Sequence, residues 1–194
     1  MKIEQVQLAD LNTIVKLHKH NLSSPSSKIG EAYLEKLYTV LLLRQDLNIA
    51  LLLREKKDIV GVITATQDLH EMNKSLNKIL SPSIIFLFLK AIVVRKVTVK
   101  ELWERIRFEQ MLMKKNIHPY PVILTIFINR KYQGGGYGKK LINEMSQILK
   151  KKGIKKIYVD TLSTNKKAIG FYLALGFKQK EAIADSIILE KELR

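Results

Sequence analysis

Six residues, Gln133-Gly134-Gly135-Gly136-Tyr137-Gly138, carry the plainest chemistry in this sequence. Four glycines in five positions let the backbone take positive φ and let a ligand approach without meeting a Cβ. Upstream lies an apolar run, Val122 to Ile128. Downstream, Leu141, Ile142, Met145, Ile148 and Leu149 share one helical face and lysines the other. The spacing predicts a strand, a glycine loop and a helix opening at the loop. The first N–H groups of such a helix have no intrahelical acceptor, and the helix dipole adds partial positive charge there. That combination binds phosphate or pyrophosphate. The loop is not a P-loop, because Gly138 is followed by Lys139-Lys140 instead of Lys-Ser/Thr, and its spacing misses the dinucleotide fingerprint.

Gln133, Gly136 and Gly138 fit the Q/R-x-x-G-x-G/A pattern, and Asn165, Ala168, Tyr172 and Leu175-Gly176-Phe177 fit N-x-x-A-x-x-x-Y-x-x-x-G-F. In this order the two signatures resemble the GNAT superfamily of acetyl-CoA-dependent N-acetyltransferases, over roughly the last third of the chain. The resemblance implies an α/β (α+β) fold: a mixed twisted sheet with helices on both faces, splayed between Phe127 and Val159 to admit acetyl-CoA. It implies that backbone amides near Phe127 and Ile128 hold the pantetheine arm and polarise the thioester carbonyl. The pyrophosphate would lie on the amides of Gln133, Gly134, Gly135, Gly136, Tyr137, Gly138 and Lys139. Asn165 would touch the CoA arm, although capping its own helix explains it equally well. Tyr172 would be the general acid, since a thiol near pKa 8.5 and a tyrosine near 10 can share a proton. Gly170, just ahead of it, is expected to thin the helix for a close neighbour.

One departure matters. Relatives carry a glutamate general base near the position of Val122, yet Val122 to Ile128 contains no carboxylate. A base would have to come from Asp68, His70, His118 or Asp160, or the amine would arrive already deprotonated. The loss also leaves room for a CoA-binding sensor or interaction module without turnover.

Composition sets the outer bounds. The 194 residues are long enough for one domain, 1–194, with a sizeable core. With no cysteine, disulfides, thiolate metal sites and cysteine nucleophiles are excluded, and no metal is expected. No run approaches the ~20 apolar residues of a membrane span, and Met1-Lys2-Ile3-Glu4 opens no signal-peptide pattern. A cytoplasmic protein is the simplest expectation. The 34 Lys+Arg against 18 Asp+Glu give +16, which favours anionic partners such as CoA, nucleotide-sugars or acidic glycans. The lysines are spread along the chain with no nucleic-acid motif, so no nucleic acid is expected.

The remaining elements follow from periodicity and turn residues. Ile3 to Leu8 reads as a strand, and Asp10 as the cap of a helix carrying Leu11, Ile14, Val15 and Leu22. Ser23 to Ser27 reads as a turn or loop, and Ile29 to Arg44 as a second helix. Asn48 to Arg54 and Ile59 to Thr66 form a hairpin. About fifty residues, 67–120, then intervene, expected to be a helical insert with helices from Pro82 through Val94 and from Val99 to Met113. The run Ile84 to Val94 would cover the acceptor side or make a dimer contact, with peripheral membrane docking through Lys90, Arg95 and Lys96 the lesser option. After the glycine-loop helix, capped by Gly153, come a strand (Lys156 to Thr161), a helix (Asn165 to Leu175) and a terminal hairpin (Phe177 to Ile183, Ser186 to Leu193). The function expected is acetyl transfer to a primary amine, with an amino sugar of polysaccharide synthesis as the acceptor.

Overall fold

The computed structural model describes residues 1–22, 24–79, 121–183 and 185–193. Within these, seven strands share one sheet: β1 (Lys2–Gln5), β2 (Asn48–Glu55), β3 (Asp58–Thr66), β4 (Val122–Ile128), β5 (Lys156–Leu162), β6 (Lys178–Ile183) and β7 (Ser186–Glu192). Their spatial order is β1-β2-β3-β4-β5-β7-β6. Every neighbouring pair is antiparallel except β4 with β5 at the centre. The helices are α1 (Leu11–Asn21), α2 (Pro25–Ile29), α3 (Glu31–Leu43), α4 (Leu69–Ile79), α5 (Tyr137–Lys151) and α6 (Lys166–Ala174).

Strand alternation divides the core into two layers. On one face Ile14 and Val15 of α1, Leu34, Tyr38 and Leu41 of α3, and Met72 of α4 pack on Leu52, Val62 and Phe127. On the other, Leu141, Ile142, Met145 and Leu149 of α5 pack on Leu51, Ile63, Ile157 and Val159, joined by Tyr172 of α6. The apolar stripe that marks α5 in the sequence is therefore what seats the glycine loop at the sheet's end. All four of those α5 residues are fully buried, each worth about 1.5–3 kcal/mol. Gly61 of β3 lets α5 settle closely, because a Cβ there would meet Ile128 and, at 3.2 Å, the Leu141 side chain.

Several boundaries differ from expectation. β1 stops at Gln5, because Gln7 opens a 3-10 turn over Leu8–Asp10. Asp10 does not cap α1 with its side chain. Its carboxylate instead accepts from the Gln7 N–H at 3.0 Å and from Arg54 at 2.7 Å, while Glu4 accepts from the same guanidinium at 2.6 Å. Leu22 lies just past the end of α1. The segment expected to be a loop holds a short helix, α2, with Ser24 as its N-cap accepting from the Ser27 N–H and Pro25 in the first turn. Proline and serine mark a helix start as readily as a turn. Gly30, at φ +127°, separates α2 from α3, so the helix expected from Ile29 begins at Glu31. The insert opens with α4, a helix that the sequence reading did not place; the helices assigned to Pro82–Val94 and Val99–Met113, with Lys90, Arg95, Lys96 and His118, lie outside the described residues.

Candidate functional site: the opening between the central strands

The site begins with one extra residue. Thr125 pairs with Thr64 and Ile123 with Ala65, which leaves Leu124 on β4 without a partner. Such a bulge bends and twists its strand. β4 consequently meets β5 at one rung, Val122 opposite Tyr158, where the Tyr158 N–H donates to the Pro121 carbonyl at 2.9 Å. Beyond it the parallel strands part, and Leu124, Thr125 and Ile126 are only half-buried although they lie mid-sheet.

The bulge also decides which backbone groups face the gap. Asn129 donates its N–H to the Val60 carbonyl at 2.9 Å, and Phe127 stands opposite Val62. In an antiparallel ladder this turns the Phe127 amide toward β3 and those of Ile126 and Ile128 away from it. The Ile128 carbonyl on that open side accepts from Gln133 Nε2 at 3.2 Å. Of the two positions that family resemblance assigns, Ile128 faces the opening with its backbone. Phe127 does not, and Ile126 takes its place. The Phe127 ring is buried on the α1/α3 face, edge-on to His18 with ring centres 5.9 Å apart.

Below β4 the chain makes a 3-10 turn over Arg130–Tyr132, held at three points. Asn129 accepts from the Lys131 N–H, the Asn21 carboxamide accepts from the Arg130 N–H at 3.1 Å, and the Tyr132 hydroxyl donates to Asp58 at 2.8 Å. That last bond raises the Tyr132 pKa. Gly134 and Gly136 then take φ +87° and +74°, which side chains other than glycine rarely adopt. Gly138 serves differently. It is buried in the first turn of α5, and an added Cβ would sit 3.0 Å from the Phe171 ring. Its missing side chain lets α6 pack on α5. The first intrahelical bond of α5 runs from the Lys140 N–H to the Gly136 carbonyl at 3.2 Å. The N–H groups of Tyr137, Gly138 and Lys139 therefore have no intrahelical acceptor. Gln133, Gly134, Gly135, Gly136 and Lys139 are exposed around them.

α6 carries the second signature. Asn165 is its N-cap and accepts from the Ala168 N–H at 3.1 Å. Tyr172 is 5% exposed, with the Phe171 and Phe177 rings at 5.2 and 5.3 Å. Burial first, and the negative Asp160 second, push its pKa well above the tyrosine range, so the hydroxyl keeps its proton. Gly170 is not a point of close packing: a Cβ there would meet nothing within 4 Å.

Among the four alternative bases, Asp68 accepts from the His70 N–H at 2.9 Å as the start of α4, Asp160 is exposed on β5, and His118 lies outside the described residues. A histidine not singled out by sequence packs against Phe127 of β4. His18 continues the stripe Leu11, Ile14, Val15 at helical spacing, and is 2% exposed. Its Nδ1 is 2.9 Å from the Tyr38 hydroxyl and its Nε2 3.4 Å from Ser24 Oγ. Burial lowers its pKa from 6.5 to about 4, so the ring is neutral near pH 7. Burial drives the Tyr38 pKa far up, against a hydrogen bond from Thr125. The i, i+3, i+4, i+7 pattern could have placed His18 in the core, but nothing local in sequence ties it to Tyr38 and Phe127.

The arrangement offers first-turn amides at a helix N-terminus, an opening between parting strands that two β4 amides face, and a buried tyrosine on α6 that keeps its proton. Among the described residues no group of three or more acidic or histidine side chains is placed to hold a metal, and no helix is long and apolar enough to cross a membrane. Comparison with solved structures returns the same fold. An N-acetyltransferase called PaiA from Thermoplasma acidophilum, in complex with coenzyme A, superposes with TM-score 0.65 at 19% identity, covering 98% of each chain. A ribosomal-protein-alanine N-acetyltransferase from Escherichia coli gives 0.60 at 13%, covering 99% of this chain and 93% of the other. A spermidine N-acetyltransferase chimera built on the Vibrio cholerae protein gives 0.60 at 15%, covering 100% and 97%. A comparison with curated proteins found no match. The model of the acetyltransferase (GNAT) family matches residues 14–177, a span that includes the bulged strand, the glycine loop and Tyr172, and the chain belongs to that family.

Proposed function

We propose that this protein transfers an acetyl group from acetyl-CoA to a primary amine. The observation that carries the reading is the bulged β4, which parts from β5 directly ahead of a glycine loop and a helix N-terminus. The residues fit the cosubstrate: free first-turn amides of α5 for the pyrophosphate, with Lys139 and Lys140 exposed beside them, and an apolar-walled gap for the pantetheine arm. Acetyl-CoA supplies the activated acetyl thioester. The Ile126 and Ile128 N–H groups polarise the carbonyl as charge gathers on its oxygen, the kind of fixed donor that favours a transition state over a ground state. Tyr172 holds a proton for the departing sulfur. The acceptor enters from the side of the sheet opposite α5, where Thr125 and Phe127 lie.

The acceptor class we favour is an amino sugar, linked to a nucleotide or to polysaccharide. The excess of basic residues supports an anionic acceptor of this kind; the solved relatives are named for protein and polyamine acceptors. A homodimer or membrane contact through the insert is part of the same proposal. A second reading, a CoA-binding sensor without turnover, is favoured by the absence of any carboxylate on β4. Acetyl-CoA consumption measured over an amine panel that includes amino-sugar nucleotides, spermidine and peptide amines separates the two. Amine-dependent release of free CoA supports the enzyme. Tight CoA binding with no amine-dependent release over the panel would favour the sensor.

A further inference from the structure

A second bulge lies on the edge strand. Lys178 pairs with Glu190 and Gln179 with Leu189, but Glu181 pairs with Ile188, which leaves Lys180 as an extra residue on β6. Bulges re-aim side chains, and this one sends Lys180 across β7 toward the middle of the sheet. Its Nζ lies 4.6 Å from the centre of the Tyr158 ring, donates to the Tyr158 hydroxyl at 3.3 Å and stands 3.3 Å from Glu190 Oε2. Tyr158 is 6% exposed, while the Lys180 side chain over it keeps 33% of its surface in solvent.

Register sets the place of this cluster. Tyr158 stands opposite Val122 on the last rung joining β5 to β4, and opposite Glu190 on β7. Val122 and Tyr158 belong to the α1/α3 layer, the side from which the acceptor enters in the proposal above. The opening begins directly beyond them. β4 carries no carboxylate, and among the described residues Glu190 is the carboxylate on the rung of Val122. An ordinary ion pair does not account for it. Its Oε2 is buried and takes no hydrogen bond, although Lys180 Nζ is near, and its Oε1 lies 3.7 Å from Lys156. A buried carboxylate oxygen in that state is costly. An aromatic face beside a carboxylate is a site for an ammonium, and the ammonium there is the protein's own.

Resting on the acetyl-transfer reading, we propose that the Tyr158 ring and Glu190 form the docking site for the acceptor's ammonium, and that Lys180 fills this site until an acceptor displaces it. An amine of lysine type titrates near 10.4, so it reaches the protein protonated at neutral pH. It then carries the same charge and N–H donors that Lys180 presents. A ligand not tethered to β6 can align with Glu190 Oε2, where Lys180 does not. The displaced side chain moves out to solvent, which it already meets. No bond is made or broken at this site; it holds the amine beside the opening where transfer occurs.

Two measurements test this on the full chain. The first needs no acetyl-CoA. The Cε protons of Lys180, held over an aromatic ring, should resonate upfield of ordinary lysine values. Added methylammonium chloride should return them toward those values, and sodium chloride at the same concentration should not. A Lys180 signal that stays in place, or that moves equally with both salts, overturns the proposal and leaves the acetyl-transfer reading untouched. The second is kinetic, with an amine that the parent protein acetylates and each variant checked for folding by circular dichroism. Lys180→Met, which keeps the stem and drops the charge, should lower KM for the amine about two- to fivefold, the strength of an exposed cation–π contact. Glu190→Gln should raise it at least about tenfold while KM for acetyl-CoA holds. Tyr158→Leu should raise it more than Tyr158→Phe, which keeps the ring. An unchanged or raised KM for the amine in Lys180→Met, or a loss confined to acetyl-CoA in Glu190→Gln, overturns the proposal. A parent protein that consumes no acetyl-CoA with any amine overturns the transfer reading, and the methylammonium titration still decides the docking site.

Discussion

Acidification should withdraw stability from this protein through one side chain that is not charged at neutral pH. Unfolded, His18 titrates near its ordinary value of 6.5; folded, burial holds it at about 4. Between these values the unfolded chain binds a proton that the folded chain refuses, so stability falls as pH falls. The contribution is whole above 6.5, shrinks through the window down to about 4, and changes little below. Linkage over that window gives a loss of about 1.4 kcal/mol at pH 5.5 and about 3 kcal/mol at pH 4. Because the ring is 2% exposed and no neighbouring charge contributes, screening by salt should barely change the figure. Carboxylates elsewhere titrate in the same range, and comparison with His18→Asn cancels them. Denaturant melts of both proteins at pH 7.5, 5.5 and 4 therefore give the effect as a difference. The parent should lose about 3 kcal/mol more than the variant between the ends of the range. Parallel losses would refute the reasoning, because they would mean that His18 titrates alike in both states.

Other perturbations probe the site piece by piece. Gly136→Val demands a positive φ of a β-branched residue at the mouth of α5, so CoA affinity should fall at least about tenfold while the fold persists, as calorimetry and circular dichroism together can show. Gly138→Val should behave differently: the new side chain meets the Phe171 ring, and melting should show a stability loss of about 1–3 kcal/mol along with any loss of binding. Tyr172→Phe keeps the ring between Phe171 and Phe177, so CoA affinity should hold while kcat falls by about 10² to 10⁴. With the Tyr172 pKa raised, the parent should show no falling limb near the ordinary tyrosine value of about 10.

Much of this was legible because the relevant signals are local. A strand, four glycines and an amphipathic helix name themselves in order, and the α5 stripe both forms the helix and buries it. Asn165 was readable as a cap, and it caps. What stayed hidden depends on pairing between distant segments. The bulge at Leu124 exists only relative to β3, and it exchanges Phe127 for Ile126 at the opening. Asp10 looked like a cap until Arg54, forty-four residues away, claimed its carboxylate. Gly138 was read as room for phosphate, while its neighbour is an aromatic ring from α6. Gly170 was credited with a close contact that it does not make. His18 sat on an apolar helical stripe, where a histidine ordinarily means a satisfied core residue. Its bond to Tyr38 reaches across to α3, which no short-range pattern reports.

The most direct test of the central claim is a titration of the labelled protein with acetyl-CoA, followed by backbone amide shifts. Bound in the opening, the cosubstrate should move the amides of Ile126 and Ile128 and those of Gly136, Tyr137, Gly138 and Lys139, with saturation at one equivalent. The Phe127 amide, committed to β3, should move far less than its two neighbours. Shifts scattered over the lysine-rich surface, or a Phe127 amide that moves more than Ile126 and Ile128, would contradict the account.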